Sequence, residues 1–303
     1  MTAAVTIPFV VGSRRVFAAT RKLDTASFTL ADLLEGKAER LPGIEIGCEG
    51  VRVLSAPESA IPRIRKQLPG YRLGGWQAFP RYYIEMAGSF EDYLARFSGK
   101  TRSTLRRKRK RIAELGGDRL DFEEFRTAED MDRFVAEAVP LSRRTYQARL
   151  LDAGLPEGDA AIAEMRALAR QDRLRAYLLR IEGKAVSYLY LPIDGETVVY
   201  AHLGYDPDFA QLSPGTVLQL EALERLFAEE RFRYFDFTEG EGAHKALFAT
   251  GSVQACSFYL LRPSLANRLL LGALDGFNRS VAAAKRIAES KGAMASVRRL
   301  VRR

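Results

Sequence analysis

Residues 200–248 read YAHLGYDPDFAQLSPGTVLQLEALERLFAEERFRYFDFTEGEGAHKALF, and this stretch decides the fold. It runs as strand, turn, helix, strand and then a polar, charged loop. Pro207 and Pro214 punctuate it. Ser213-Pro214-Gly215-Thr216 opens a helix whose apolar positions Val217, Leu220, Leu223 and Phe227 recur every three to four residues. Backbone N–H groups without helical partners collect at such a start, together with the positive end of the helix dipole. Ser213, Gly215 and Thr216 therefore suit a phosphate or pyrophosphate, and Gly215 lets a ligand approach the backbone closely. The same residues also describe an ordinary capped helix.

Upstream, Arg175 to Ile181 and Lys184 to Ile193 are β-type runs separated by Glu182-Gly183, and Asp194-Gly195 leads into a third run, Thr197 to Leu203. Three antiparallel strands thus feed the turn. Downstream, Tyr234 to Thr238 reads as a strand, followed by Glu239-Gly240-Glu241-Gly242 and His244-Lys245. The predicted class is α+β in αβα layers, with a mixed central sheet: the layout of an acyl-CoA N-acyltransferase core.

Five pieces carry a likeness to a known family: Gly183-Lys184-Ala185-Val186, Gly204-Tyr205-Asp206, Leu212-Ser213-Pro214-Gly215, Asp236-Phe237-Thr238-Glu239-Gly240 and His244-Lys245. In this order they resemble the GNAT acetyltransferase branch related to the CelD-like proteins of cellulose biosynthesis and to Fem-like proteins. The likeness covers the chain from about Phe90 to Leu260. It implies a transferase that moves an acyl group from acetyl-CoA or another acyl-CoA to an amine without a metal, often on a sugar of an exported polysaccharide. It also implies cofactor-binding roles for Gln211, Ser213, Gly215 and Thr216. The usual GNAT phosphate signature has a Gln or Arg, two further residues and then Gly-x-Gly or Gly-x-Ala; here one extra residue precedes the glycine. The aromatic residue expected before Lys245 is His244.

Acyl transfer from a thioester to an amine needs a deprotonated amine, a polarised carbonyl and an acid near the leaving thiolate. The sequence has neither a Gly-x-Ser-x-Gly nor a Cys-His constellation, which fits direct attack without a covalent intermediate. Candidate bases near the ends of the strands flanking the turn are His202, Asp236, Glu239 and Glu241. Asp236 lies between Phe235 and Phe237, where a buried carboxylate demands a role or a partner, and Lys245 is the natural partner. Asp236 or Glu239 is expected to receive the amine proton while Lys245 binds an anionic substrate group; an Asp236–Lys245 ion pair that only fixes the loop fits equally. Tyr205 fits the acid for the thiolate, as a GNAT tyrosine often is, or a packed strand-end aromatic. His244 is expected to titrate near neutrality and assist proton transfer.

At 303 residues and 33.9 kDa the chain can bury a large core. Cys48 and Cys256 match no metal or disulfide spacing and read as packing residues of a protein from a reducing cytoplasm. No apolar run approaches the ~18 residues that span a bilayer, and Ser13-Arg14-Arg15-Val16-Phe17 lacks the apolar stretch of a twin-arginine export signal. The net charge of +9 is local. Lys100 to Arg111 holds eight basic residues and no acid, and Ser264 to Arg303 holds nine against Asp275 and Glu289. The rest of the chain is acidic on balance.

The expected organisation is an α/β subdomain over 1–90, an acyltransferase domain over 91–262 and a basic helical tail over 263–303. The first part shows strand-like runs at Ile44 to Ile46, Val51 to Leu54 and Tyr82 to Met86, a helix at Ala60 to Gln67, and is compatible with a degenerate half of a tandem Fem-like arrangement. From Phe90 to Leu115 one helix is predicted, with Leu94, Phe97, Thr101, Leu105, Ile112 and Leu115 on one face, Arg102 and Arg106 to Arg111 on the others, and Gly116-Gly117 as its stop. Such a run of cations is either a solvated face or a seat for coenzyme A phosphates, a lipid- or nucleotide-linked sugar, a membrane surface or RNA. Two or three helices fill 128–171, with Arg143, Arg144, Thr145 and Tyr146 where a GNAT acceptor loop would lie. In the tail, Leu265, Leu269, Leu270 and Leu274 are expected to pack on the core. Val297 to Arg303 reads as a frayed end or as a surface-seeking segment at the inner face of the membrane.

Three functions follow. The first is an acyl-CoA-dependent N-acyltransferase for an amino sugar of exopolysaccharide or cell-envelope polysaccharide. The second is a Fem-like aminoacyl-tRNA-dependent transferase, with the basic helix on the acceptor stem. The third is a non-catalytic GNAT-like module that binds an anionic regulator.

Overall fold

The computed structural model describes residues 3–12, 14–36, 41, 48–145, 154–240 and 242–290. Ile44 to Ile46, Tyr146, Glu241 and the final amphipathic segment lie outside them. The chain forms two compact units: Met1–Arg81 with Glu239–Gly242 and Ser252–Arg303, and Tyr82–Thr238 with Ala243–Gly251.

The first unit begins with an antiparallel hairpin, β1 (Ala3–Val11) and β2 (Arg14–Ser27), whose register shifts between Phe9 and Val10. Thr29 caps α1 (Leu30–Glu35) in a reciprocal capping box with Asp32, and left-handed Gly36 ends it. Then come β3 (Gly50–Ala56), parallel to β2, the short α2 (Ile61–Gln67), and β4 (Arg72–Glu85), which passes into the second unit after Arg81.

The second unit holds α3 (Phe90–Ala95), α4 (Gly99–Leu115), β5 (Asp121–Phe125), α5 (Asp130–Arg144) and α6 (Asp159–Arg170). The meander β6 (Leu174–Ile181), β7 (Lys184–Asp194), β8 (Thr197–Val199) and β9 (His202–Tyr205) follows, then α7 (Pro214–Ala228), β10 (Tyr234–Asp236) and α8 (Ala243–Phe248). The chain closes in the first unit with β11 (Gly251–Leu261), antiparallel to β3, and α9 (Leu265–Ser290).

Two expectations are corrected. The single helix over 90–115 is two, because Ser98 caps a fresh start by accepting from the Thr101 N–H, and Arg102 turns back to donate to the carbonyls of Ala95 and Phe97. The tail leucines do not all pack. Leu274 is buried, whereas Leu265 and Leu269 are 73% and 66% exposed, because α9 seats only the face carrying Asn267, Leu271 and Leu274.

In the second unit the strand order is β4-β10-β8-β7-β6-β5. Neighbours are antiparallel except β10 and β8, which run parallel. One sheet face packs Leu179, Val186, Leu189 and Phe235 with Val217, Leu218, Leu223 and Phe227 of α7. The other packs Ala176, Leu178 and Tyr188 with Met131, Phe134 and Ala138 of α5 and Met165 of α6. These are αβα layers about a mixed sheet, the predicted class. α7 is buried on several sides, and its end is pinned by Arg175 of β6, a fully buried guanidinium that donates to both carboxylate oxygens of Glu229 at 2.8 and 2.6 Å.

Candidate active site

The predicted third strand is split. β8 pairs with the end of β7 and, in parallel, with β10, whereas β9 pairs only with the first half of β7. The last link across the parallel pair is the Tyr200 N–H to the Asp236 carbonyl, at 2.9 Å. Beyond it the strands separate: Phe237 donates to the Tyr82 carbonyl, and Asp206 at the far end of β9 donates to Val186. Parallel strands that part in this way leave backbone donors and acceptors facing one another across a gap, open to a ligand with amides of its own.

The predicted phosphate turn lies at the end of β9. Ser213 has left-handed backbone angles (φ 56°, ψ 51°) and closes the six-residue 3-10 helix Pro207–Leu212, in which Gln211 is exposed, while Pro214 starts α7. Thr216 and Val217 donate back to the Ser213 carbonyl at 3.0 and 3.3 Å. Pro214 has no N–H, so Gly215 carries the first-turn N–H that no described residue accepts. The reason for a glycine differs from the expected ligand approach. A methyl group on Gly215 would stand 2.8 Å from Leu203 Cδ2 and 3.4 Å from Tyr205 Cδ1, so the glycine lets α7 close on β9. The same packing sets Tyr205, 39% exposed, beside the turn.

Asp206 follows Tyr205 directly at the end of β9. Its side chain is fully buried and accepts from Arg144 Nη1 and Lys184 Nζ, each at 2.9 Å, and from the Asp208 N–H at 3.1 Å. Burial by itself would raise its carboxyl, but the bonds from Lys184 and Asp208 and the charge of Arg144 outweigh it and hold it below the usual range. This clamp fixes the segment leading into the turn. It also occupies Arg144, while Arg143 pairs with Glu157 and the Thr145 hydroxyl donates to Ser142, so these expected acceptor-loop residues brace structure.

One turn into α7, on the Gly215–Thr216 side, lies Gln219, fully buried. Its Oε1 is 2.5 Å from His244 Nε2, and its own Nε2 has no hydrogen-bond partner among the described residues. A glutamine inside an apolar helical pattern carries no sequence signal of this kind, and it was missed. Burial first, then the positive charges of Lys108 and Lys245, push His244 down to about 4. The expected titration near neutrality is thereby corrected: His244 is a neutral ring that donates to Gln219. Lys245 follows it on α8, half-buried.

Asp236, at the end of β10, is fully buried, and its Oδ1 accepts the Thr238 N–H at 2.8 Å, turning the chain through left-handed Thr238. His202 lies on β9 with its ring 6.0 Å from that of Tyr190. The structure thus brings Tyr205, Ser213, Gly215 and Thr216 together at one end of β9, and His244 onto α7. Glu239 belongs to the first unit. There its Oε1 accepts from the hydroxyls of Ser55 (2.7 Å) and Ser257 (3.3 Å), and Ser55 is itself left-handed (φ 54°) and buried. Among the described residues no cluster of His, Cys, Asp and Glu suits a metal ion.

Residues 99–246 match the family model of the acetyltransferase (GNAT) domain, Acetyltransf_6. That stretch, just under half of the chain, is similar to the GNAT acetyltransferase domain, and the fold is GNAT-like. Among solved structures it is similar to FemX, at 13% identity over 86% of this chain and 88% of that one, with a TM-score of 0.50. It also matches a C-terminal domain described as that of a lysylphosphatidylglycerol synthetase from Agrobacterium fabrum (14% identity, 75% and 72% covered, TM-score 0.49) and L-PGS from Bacillus licheniformis (15%, 75% and 73%, TM-score 0.46). At 13% identity the likeness to FemX concerns the fold. No curated protein matches the chain.

Proposed function

We propose that the protein is an acyl-CoA-dependent N-acyltransferase that acetylates an amine, with an amino sugar, lipid- or nucleotide-linked, of exopolysaccharide or cell-envelope polysaccharide as the acceptor. One observation carries the reading: the strands on either side of Tyr200 and Asp236 part beside a helix start that offers the Gly215 N–H and, one turn on, the Gln219 Nε2, which no described residue accepts. A buried donor left without an acceptor costs about 1–3 kcal/mol, so a ligand that supplies one is rewarded. Coenzyme A fits this set. Its pyrophosphate suits the helix start with Ser213, Gly215 and Thr216, with Gln211 at the edge, and its pantetheine arm carries two amides able to pair across the gap.

In this reading the acceptor nitrogen attacks the thioester carbonyl, the C–S bond breaks, and the thiolate takes its proton from the Tyr205 hydroxyl. The proton of the amine passes to the carboxylate of Asp236, and Lys245 orients an anionic group of the acceptor. His244 is a neutral donor that holds Gln219 in place. Its low basicity makes it a poor sink for an ammonium proton.

Calorimetry with acetyl-CoA tests the reading, comparing the wild type with Gln219→Met. Binding by the wild type that falls about tenfold in the variant, the worth of one hydrogen bond, supports it. No binding by the wild type would sink it. A second reading, transfer from an aminoacyl-tRNA, rests on α4, where Arg106, Arg107 and Arg111 are exposed. Binding of tRNA that weakens steeply with salt, with none of acetyl-CoA, would decide for it.

A further inference from the structure

Within the first unit, α9 has apolar character on two opposite faces. Asn267, Leu271 and Leu274 are buried, whereas Leu265 and Leu269, one turn apart on the outward side, are among the most exposed large apolar residues described. The outward line continues at steps of three and four through Gly272, Gly276, Ser280 and Ala283 to Ile287, 56% exposed. Arg268, Arg279 and Arg286 recur along one flank of this line, all exposed. Asp275, the acid in the middle of the helix, is turned inward to accept the Gly75 N–H at 2.7 Å.

The β1–β2 hairpin repeats the combination. Val16 and Phe17 are 61% and 60% exposed next to exposed Arg15, and Val11 across the turn is 45% exposed. Hairpin and helix are joined by an aromatic chain: Phe17 meets Phe9 edge-on at 5.3 Å, and Phe9 meets Phe277 of α9 edge-on at 5.4 Å.

We propose that α9, with Phe17 of the hairpin, is a docking surface for an anionic phospholipid membrane, with α9 lying in the interfacial plane. An exposed apolar line flanked by arginines is the pattern of an interfacial helix. Each leucine or phenylalanine taken out of water favours binding by burying apolar area, and each arginine near an anionic surface adds an electrostatic attraction. The charge decides between occupants. A second copy of the chain would set arginine against arginine, and a nucleic acid would pair the arginines but leave Leu265, Leu269 and Phe17 in water. A lipid surface rewards both. The proposal goes beyond the transfer reaction and stands or falls apart from it.

The test is co-sedimentation with vesicles of phosphatidylcholine, with and without phosphatidylglycerol. Wild type, Leu265→Ser/Leu269→Ser, Phe17→Ser and Arg268→Gln/Arg279→Gln/Arg286→Gln are compared after thermal melts confirm equal folding. The wild type is expected to partition onto the anionic vesicles only. The leucine pair should weaken this at least tenfold, and the arginine triple should weaken it and remove its salt dependence. Three results would overturn the proposal: no wild-type binding to anionic vesicles, undiminished binding by both the leucine and the arginine variants, or a concentration-dependent dimer or RNA complex that the same variants abolish while lipid binding persists.

Discussion

His244 Nε2 and Gln219 Oε1, 25 positions apart in the chain, stand 2.5 Å from each other, and the second polar atom of that amide has no partner among the described residues. The contact fixes both groups. With Oε1 as acceptor, Nε2 of the ring carries the proton, and the amide is locked with its N–H2 directed away from the histidine.

The His244 environment predicts an acid-labile fold. Its folded pKa of about 4 lies below the ordinary 6.5, so between those values the unfolded chain binds a proton that the folded protein refuses. Stability is unaffected above about pH 6.5 and declines as pH falls toward 4, by up to ~3 kcal/mol. Lys108 and Lys245 are the charges facing the ring. Melting temperatures from pH 8 to 4.5 should fall for the wild type and stay flatter for His244→Phe; parallel curves would refute the assignment.

Gly215 should prove to be a packing glycine first. Gly215→Ala is expected to cost about 1–2 kcal/mol by overpacking, since the new methyl meets Leu203 at 2.8 Å. Gly215→Ala/Leu203→Ala should recover more than the two single losses would allow, and should also recover acetyl-CoA binding because the backbone N–H is retained. A double mutant as unstable as the sum of its parts would show that the contact does not matter.

Asp206→Asn should destabilise by about 2 kcal/mol, the scale of a buried hydrogen bond to a charged group. Arg144 and Lys184 are half-exposed and keep much of their hydration when the carboxylate is gone. Because the folded Asp206 carboxyl is depressed, its contribution is complete above the ordinary carboxylate range and vanishes as pH falls through the lowered value. The acid limb below about pH 4 should therefore be shallower in Asp206→Asn, in a pH range distinct from that of His244, and urea titrations at pH 3 and pH 7 would separate the two.

Tyr205→Phe and Asp236→Asn test the proton steps. Each is expected to lower kcat by about 10²-fold with acetyl-CoA affinity retained, the usual worth of a general acid or base, read as release of free thiol in the presence of an amine acceptor. Full turnover in Tyr205→Phe would remove the tyrosine from the reaction, and full turnover with intact folding in Asp236→Asn would leave that carboxylate a structural turn-former.

Much of the fold was legible because local chemistry and global packing agree in the second unit. Glycine turns at 183 and 195, β-branched and aromatic runs between them, and the periodic 217–227 helix all point one way, and β6, β7, α7 and β10 fall close to where they were predicted. The split of α3 from α4 was hidden because Leu94, Phe97, Thr101 and Leu105 keep one apolar face across the break. The pattern of the site was harder to see. Gln219 reads as a polar position on a surface helix until β9 and α8 close over it, and the neutrality of His244 depends first on burial and then on Lys108, neither of which the sequence places beside it. The β1–β2 hairpin escaped notice because its exposed apolar residues and arginines interrupt the alternation that marks a strand.

The interleaving of the two units has a consequence for how the chain is made. β3 emerges early from the ribosome, yet its antiparallel partner β11 is separated from it by the whole of the second unit; Cys256 pairs with Ala56, 200 residues earlier. The unit begun first is thus the last to close, after an inserted unit rich in local hairpins has had time to fold. Until β11 emerges, the β3 edge stays without that strand, and truncation just after Gly251 should leave a folded insert on an open, aggregation-prone sheet.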